Sequence, residues 1–224
     1  MHVAVQSAGT IGGRHVPLRD QVLVALRKGI VNGDYLPGER LTEDRLAEDF
    51  GVSRNPVREA LRVVEAEGFV TIVPRRGVFV AVPDASMISD MFAARERLET
   101  LAARLAAERA TPTDIAALRG LLDAARDATD RAAFSEVAEL NSELHLLVVS
   151  IGGNKWLSSI ATGLYLQVHW IFRLGAVDRA PHSWVEHIRL VDAIEAGDGD
   201  QAEEAAKAHV HAASVAALTT VQIT

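Results

Sequence analysis

Apolar residues recur at helical spacing through Leu18, Val22, Leu26 and Ile30, and Gly33 stands where a helix of that register would end. Pro37-Gly38 supplies a turn, and Thr42 is a good N-cap. Glu43 and Asp44 suit the positive end of a second helix, which buries Leu46 and Phe50 and stops at Gly51. Ser53 caps a third helix, with Pro56 in the tolerated first turn and Val57, Leu61 and Val64 as its core face. After Gly68 the period shortens: Phe69–Val73 and Val78–Val82 flank Pro74-Arg75-Arg76-Gly77 and predict a hairpin. Three helices with a tight turn between the second and third, closed by a hairpin, outline a winged helix-turn-helix over residues 18–82. The stretch ahead of it, 1–17, is small and polar with Gly9, Gly12 and Gly13, and is expected to be a flexible lead-in.

From Asp84 onward the period is helical throughout. Helices are expected over 84–109, 113–128, 131–150, 154–175, 183–197 and 200–219, with Ser183/Glu186 and Asp200/Glu203 at capping-box spacing. The expected fold is therefore mainly α: an N-terminal winged helix-turn-helix and, over 83–224, a C-terminal antiparallel all-α bundle. In 131–150 the apolar stripe is Phe134, Val137, Leu140, Leu144 and Val148, with Asn141 and His145 on its border. In 183–197 the stripe is Trp184, Ile188, Val191 and Ile194, with His187 beside Ile188. In 200–219 it is mostly alanine, and His209 sits in its middle.

Composition alters this picture little, but charge sharpens it. Hydrophobic residues make up 49% of the 224 and charged ones 24%, an ordinary globular balance. There are no cysteines, which removes disulfides, thiolate nucleophiles and zinc–thiolate clusters. No run approaches the length of a membrane span and no signal-peptide pattern opens the chain, so a cytoplasmic location is the expectation and no membrane partner is expected. The net charge of −7 is uneven: residues 1–82 carry 11 Lys+Arg against 10 Asp+Glu, and the rest carry 12 against 20 with six of the eight histidines. A nucleic-acid surface therefore has to be local and in the first third.

Arg54, Arg58 and Arg62 recur every four residues and form one cationic stripe on the third helix, opposite its core face. Arg54 and Asn55 lie at its N-terminus, the end that such folds insert into the major groove. There a guanidinium can take guanine O6 and N7, and an asparagine the edge of adenine. Arg75 and Arg76 at the hairpin tip are placed for phosphates or the minor groove. Alone, the arginine stripe would read as a solvated helix face; cap, turn and wing in order favour DNA. In the bundle, three helices each aim an imidazole inward, and buried polar groups need partners. A divalent metal is an economical shared partner, since neutral imidazole is a common ligand and the Asn141 oxygen can join it. Any one of these histidines read alone would be a hydrogen-bonded core residue. His211 shares its face with Glu204 and Lys207 and is expected to be exposed, while His169 and His182 carry no assignment.

The segments LPGERLTEDRLA (36–47), GVSRNPVREAL (51–61) and EAEGFVTIVPRRGVFVA (65–81) resemble the DNA-binding domain of GntR-family transcription regulators. The resemblance implies operator contacts at Arg54, Asn55 and Arg58, and a wing turn at Gly77. The family often carries an arginine two residues before the leucine of the second helix. Here Asp44 stands there, and Arg45 is the nearest substitute. NSELH (141–145), IGGN (151–154), EHIRLVDAIEAGD (186–198) and AHV (208–210) resemble the metal-binding motifs of the FCD ligand-binding domain of the FadR-like branch. This implies a divalent ion, often zinc with nickel or manganese as alternatives, on Asn141, His145, His187 and His209. Asparagine replaces the more usual aspartate at the first ligand, which removes one negative charge. RERLE (95–99) resembles the first helix of that domain and marks Arg95 as the clamp for an effector carboxylate. Arg173 is a second candidate, balanced against a plain surface salt bridge.

These readings converge on a homodimeric transcription regulator, a repressor in the simplest form. Two winged domains would bind half-sites of a near-palindromic duplex operator, and a small carboxylate in the helical domain would shift their placement. Two other readings stay open on sequence alone: a metal-dependent hydrolase or lyase fused to a DNA anchor, and a purely structural metal site without effector.

Overall fold

The computed structural model describes residues 16–174 and 176–223, so most of the expected flexible segment, 1–15, lies outside the described residues. Helix α1 (Leu18–Asn32) buries Val22, Leu26 and Ile30 and leaves Leu18 exposed. It ends on Gly33 at φ 81°, a left-handed backbone that a side chain resists. A Cβ there would meet only the movable end of the Arg173 side chain, so it is the backbone conformation that favours glycine. Strand β1 (Arg40–Leu41) follows, then α2 (Glu43–Phe50), where Thr42 accepts from the Arg45 amide and Gly51 closes the C-terminus at φ 64°. Leu46 is wholly buried, worth about 1.5–3 kcal/mol to the fold.

Helix α3 (Arg54–Ala66) buries Val57, Ala60, Leu61 and Val64. Ser53 holds the N-cap position, but its side chain makes no capping hydrogen bond. Strands β2 (Val70–Val73) and β3 (Gly77–Val80) form the hairpin; β2 starts one residue later than the run that predicted it, and β3 starts one residue earlier and stops two short. The sequence pattern missed β1, which is only two residues long. It pairs antiparallel with β3 through Arg40↔Phe79 and Leu41↔Val78, giving the order β1-β3-β2.

Among the described residues six helices follow: α4 (Ala85–Arg109), α5 (Pro112–Asp130), α6 (Phe134–Ile151), α7 (Lys155–Leu174), α8 (Ala176–Glu195) and α9 (Gly199–Ile223). Helix α4 packs along α9, α8 beside α9, and α6 against both α5 and α7. Thr111 and Asp114 form a reciprocal capping box at the start of α5, with Pro112 at the position where a missing N–H costs nothing. Two expected caps do not form. Helix α8 starts at Ala176 and carries Ser183 inside it, because the helix runs back through Pro181. Helix α9 is capped by Asp198, which accepts from the Gln201 amide at 3.0 Å, while Asp200 and Glu203 instead both bind Arg104.

The two halves share an apolar core. Trp170 and Ile171 of α7, with Val210 and Ala213 of α9, join the cluster that contains Leu26, Ile30 and Phe69. The Phe69 and Trp170 rings lie 5.6 Å apart. Arg173 Nη1 donates to the Val31 carbonyl at 3.2 Å, and Gln167 donates to the Glu67 carbonyl. Among the described residues, no helix is long and apolar enough to cross a membrane.

Candidate functional site

In the N-terminal unit, the arginines of α3 point outward and meet the acidic start of α2. Arg58 donates to both oxygens of Glu43 at 2.9 and 2.7 Å, and Arg54 lies 2.5 Å from Asp44. The Arg58 hydrogen bond lowers the Glu43 carboxyl pKa. Asn55 donates to Glu59 at 2.9 Å, and Arg45 pairs with Glu39 at 2.8 Å over the Tyr35 ring. Pairs this exposed are weak and are readily exchanged for another anion. At the hairpin tip Arg75 adopts φ 63°, a left-handed conformation that costs a non-glycine residue about 1–2 kcal/mol. Arg76 lies over Phe79, and Gly77 sits at φ 110°.

The bundle interior holds a denser constellation. His145 of α6, His187 of α8 and His209 of α9 are all buried, each offering a ligand atom within 4.8 Å of the others. The α8 core face runs through Trp184, His187, Val191 and Ile194, whereas Ile188, expected on it, is 43% exposed. Asn141, four residues before His145 on α6, is 1% exposed, and among the described residues neither its oxygen nor its nitrogen has a hydrogen-bond partner.

Arg95 of α4 reaches this cluster directly. Its Nη2 lies 3.1 Å from His145 Nε2 and 3.0 Å from His209 Nε2. A guanidinium only donates, so both Nε2 atoms carry lone pairs and both Nδ1 atoms carry protons. The surroundings match: His145 Nδ1 lies 3.2 Å from Glu99 and His209 Nδ1 lies 2.9 Å from Glu186. Imidazoles that face carboxylates with one nitrogen and present the other inward have the orientation metal sites use. His187 Nε2 lies 3.2 Å from the His145 Nε2 lone pair and so donates to it, and its Nδ1 has no partner among the described residues. Burial pushes the pKa of His187 and His209 well down, so both stay neutral. Burial alone would raise the Glu99 carboxyl, but Arg95 and His145 outweigh it and hold it well below the usual range. Tyr165 also donates to Glu99, at 2.8 Å.

His145 and His209 thus turn lone pairs inward, and moving the His187 proton from Nε2 to its partnerless Nδ1 would add a third; with the orphaned amide oxygen this donor set suits a divalent cation, and Asn141, His145, His187 and His209 are the residues that would hold it. Arg173 is not part of this constellation, since it binds the end of α1. His211 is exposed, His182 is exposed, and buried His169 lies 3.3 Å from the Ser142 hydroxyl. Sequence reasoning missed Glu99, Glu186 and Arg179. Glu99 is legible as the fourth residue after Arg95 on one helix, but Arg179 lay in a stretch read as loop.

Family models place these features. Residues 18–80 match the bacterial regulatory proteins of the gntR family, and residues 90–212 match the FCD domain. The chain belongs to the GntR family and carries an FCD domain. The galactonate operon transcriptional repressor of Escherichia coli K12 is 32% identical, with 84% of this chain and 91% of that protein covered. An HTH-type transcriptional regulator of Bacillus subtilis, YdhC, is 31% identical over 83% of this chain and 82% of that one. The structure of E. coli McbR/YncC superposes with a TM-score of 0.78 over 94% of this chain and all of that one, at 23% identity, which shows the shared fold. These relatives are regulators of transcription rather than enzymes. The GntR/FCD assignment makes the protein a DNA-binding regulator whose C-terminal domain binds a ligand.

Proposed function

We propose that the protein is a homodimeric repressor whose grip on operator DNA is loosened by a small carboxylate bound beside a divalent metal in the helical domain. The division of labour follows the sequence: residues 18–82 bind DNA, and residues 83–224 sense. Arg54, Asn55 and Arg58 read base edges from α3, while Ser53 and Arg45 flank them. Arg75, Arg76 and Gly77 form the wing tip against the backbone or minor groove. The free Ser53 hydroxyl and the left-handed Arg75 support this, since neither is explained by local stability.

The observation that carries the sensing half is Arg95 donating to two ligand-ready imidazoles at once. Zinc is the expected ion, with nickel or manganese compatible with the same donors. When bound, it supplies a positive charge with room for an anionic ligand. Arg95 then has a carboxylate to hold in place of the two imidazole lone pairs. The signal has a short route to the DNA-binding unit: Ile171 of α7 and Ala213 of α9 face the cavity beside Arg95 and also belong to the core shared with α1 and β2. Arg173 joins α7 to the C-terminus of α1.

The test is fluorescence anisotropy of an operator duplex selected in vitro from a random pool. Carboxylates are added to zinc-loaded and to chelator-treated protein. The proposal expects release of DNA only from the zinc-loaded form. Release from neither form by any small carboxylate would contradict it and leave the metal a structural role.

A further inference from the structure

Helix α8 starts at Ala176, and this early start carries Arg179 into the interior, seven residues before Glu186 and on the same face. Arg179 is 8% exposed and donates through Nη2 to a Glu186 oxygen, the one that also faces His209 Nδ1 at 2.9 Å. Its Nε is buried without a hydrogen-bond partner among the described residues. Arg179 and Arg95 line one small cavity that is partly open to solvent. Its remaining wall is apolar, including Phe92, Ile171, Phe172 and Ala213, and these side chains offer the guanidinium no acceptor. A buried guanidinium N–H without an acceptor is costly, and an anion entering the adjoining cavity would give Arg179 one.

Charge counting points the same way. Arg95 and Arg179 are balanced by Glu99 and Glu186, and the Asn141 amide adds no charge. A divalent cation would add two positive charges to this buried group, and a monocarboxylate would cancel only one of them.

We propose that Arg179 is a second anion anchor and that the effector is a small dicarboxylate, one carboxylate held at the Arg95 and histidine end and the other at Arg179. Its hydrocarbon spacer lies against Phe92, Ile171 and Phe172. The inference rests on the carboxylate reading of the preceding section and adds the second charge.

Isothermal titration of zinc-loaded, full-length protein with linear dicarboxylates from malonate to adipate, and with monocarboxylates of the same chain lengths, tests it. At least one dicarboxylate should bind about 10–100-fold more tightly than its monocarboxylate match, as a charge-assisted bidentate contact allows. Arg179→Gln should erase that advantage, read as the ratio of dicarboxylate to monocarboxylate affinity in the same zinc-saturated variant. Arg95→Gln should weaken both classes. If Arg179→Gln does not fold, Arg179→Lys serves instead: it keeps the charge and loses the fork, so only the dicarboxylate should weaken. Monocarboxylates that bind as tightly as dicarboxylates, or a dicarboxylate advantage that survives Arg179→Gln, would overturn the second anchor and leave the carboxylate reading standing. Failure of every carboxylate to bind would overturn both.

Discussion

Asn141 offers a sharp separation between a structural residue and a ligand. Its side chain is buried, and both polar atoms lack partners. A buried polar group left unsatisfied costs about 1–3 kcal/mol. Asn141→Leu keeps the branched shape and removes the orphaned dipole, so the metal-stripped protein should gain roughly that amount. At about 2–4 °C per kcal/mol for a chain of this length, the midpoint of thermal unfolding in chelator should rise by about 2–12 °C. The same substitution removes an oxygen donor and should lower zinc affinity by at least about tenfold, read by competition with a fluorescent chelator. Asn141→Asp should do the reverse, restoring the negative charge and tightening zinc while destabilising the stripped form. A Leu variant that is less stable without metal and binds zinc as before would show that Asn141 is satisfied by the fold itself, and would refute its place in the site.

Other outcomes follow from the same geometry. Arg58→Ala should weaken operator binding by about tenfold or more in an anisotropy titration and leave bound zinc unchanged; full affinity would remove Arg58 from the contact surface. Arg173→Ala cuts the bond to the Val31 carbonyl, so carboxylate binding measured by titration should persist while its effect on operator affinity shrinks. An undiminished response would move the relay elsewhere. For pH, His187 and His209 are depressed in the folded state, so below the ordinary 6.5 the unfolded chain takes up protons that the folded one does not. Stability in chelator is therefore complete above about pH 6.5 and falls as pH drops, by up to about 1.4 kcal/mol per unit for each imidazole. The contribution of Glu99, whose carboxyl is held low, is lost only below its ordinary 4.5. Urea unfolding at pH 7.5, 6.5 and 5.5 reads this, and equal midpoints would show that the imidazoles are already protonated or solvated.

The winged unit was legible almost residue by residue because its signals are local. Thr42 and Gly51 bracket α2 by cap chemistry that depends only on neighbours, and Leu46, Val57 and Leu61 fall on faces set by period. Strand β1 escaped because two residues carry no period; its pairing partner is β3, nearly forty residues away. In the bundle the histidines were visible as polar residues near apolar stripes, yet the face of α8 was drawn one residue off. Ile188 is the more hydrophobic side chain, and pattern alone assigns it the core, but His145 of α6 and His209 of α9 pack against His187 and make it the buried one. Arg179 was hidden by Pro181, which reads as a helix boundary although α8 continues through it. Local pattern thus located the donors, while their protonation and partners came from helices distant in sequence.

The central claim is that the imidazoles of α6, α8 and α9 share one cation. Elemental analysis of untagged protein, purified without chelator and dialysed, tests this most directly when wild type and His187→Ala are compared side by side. About one transition-metal ion per chain in wild type and a background level in the variant is the predicted result; the same content in both, or none in wild type even after zinc is supplied, would contradict it.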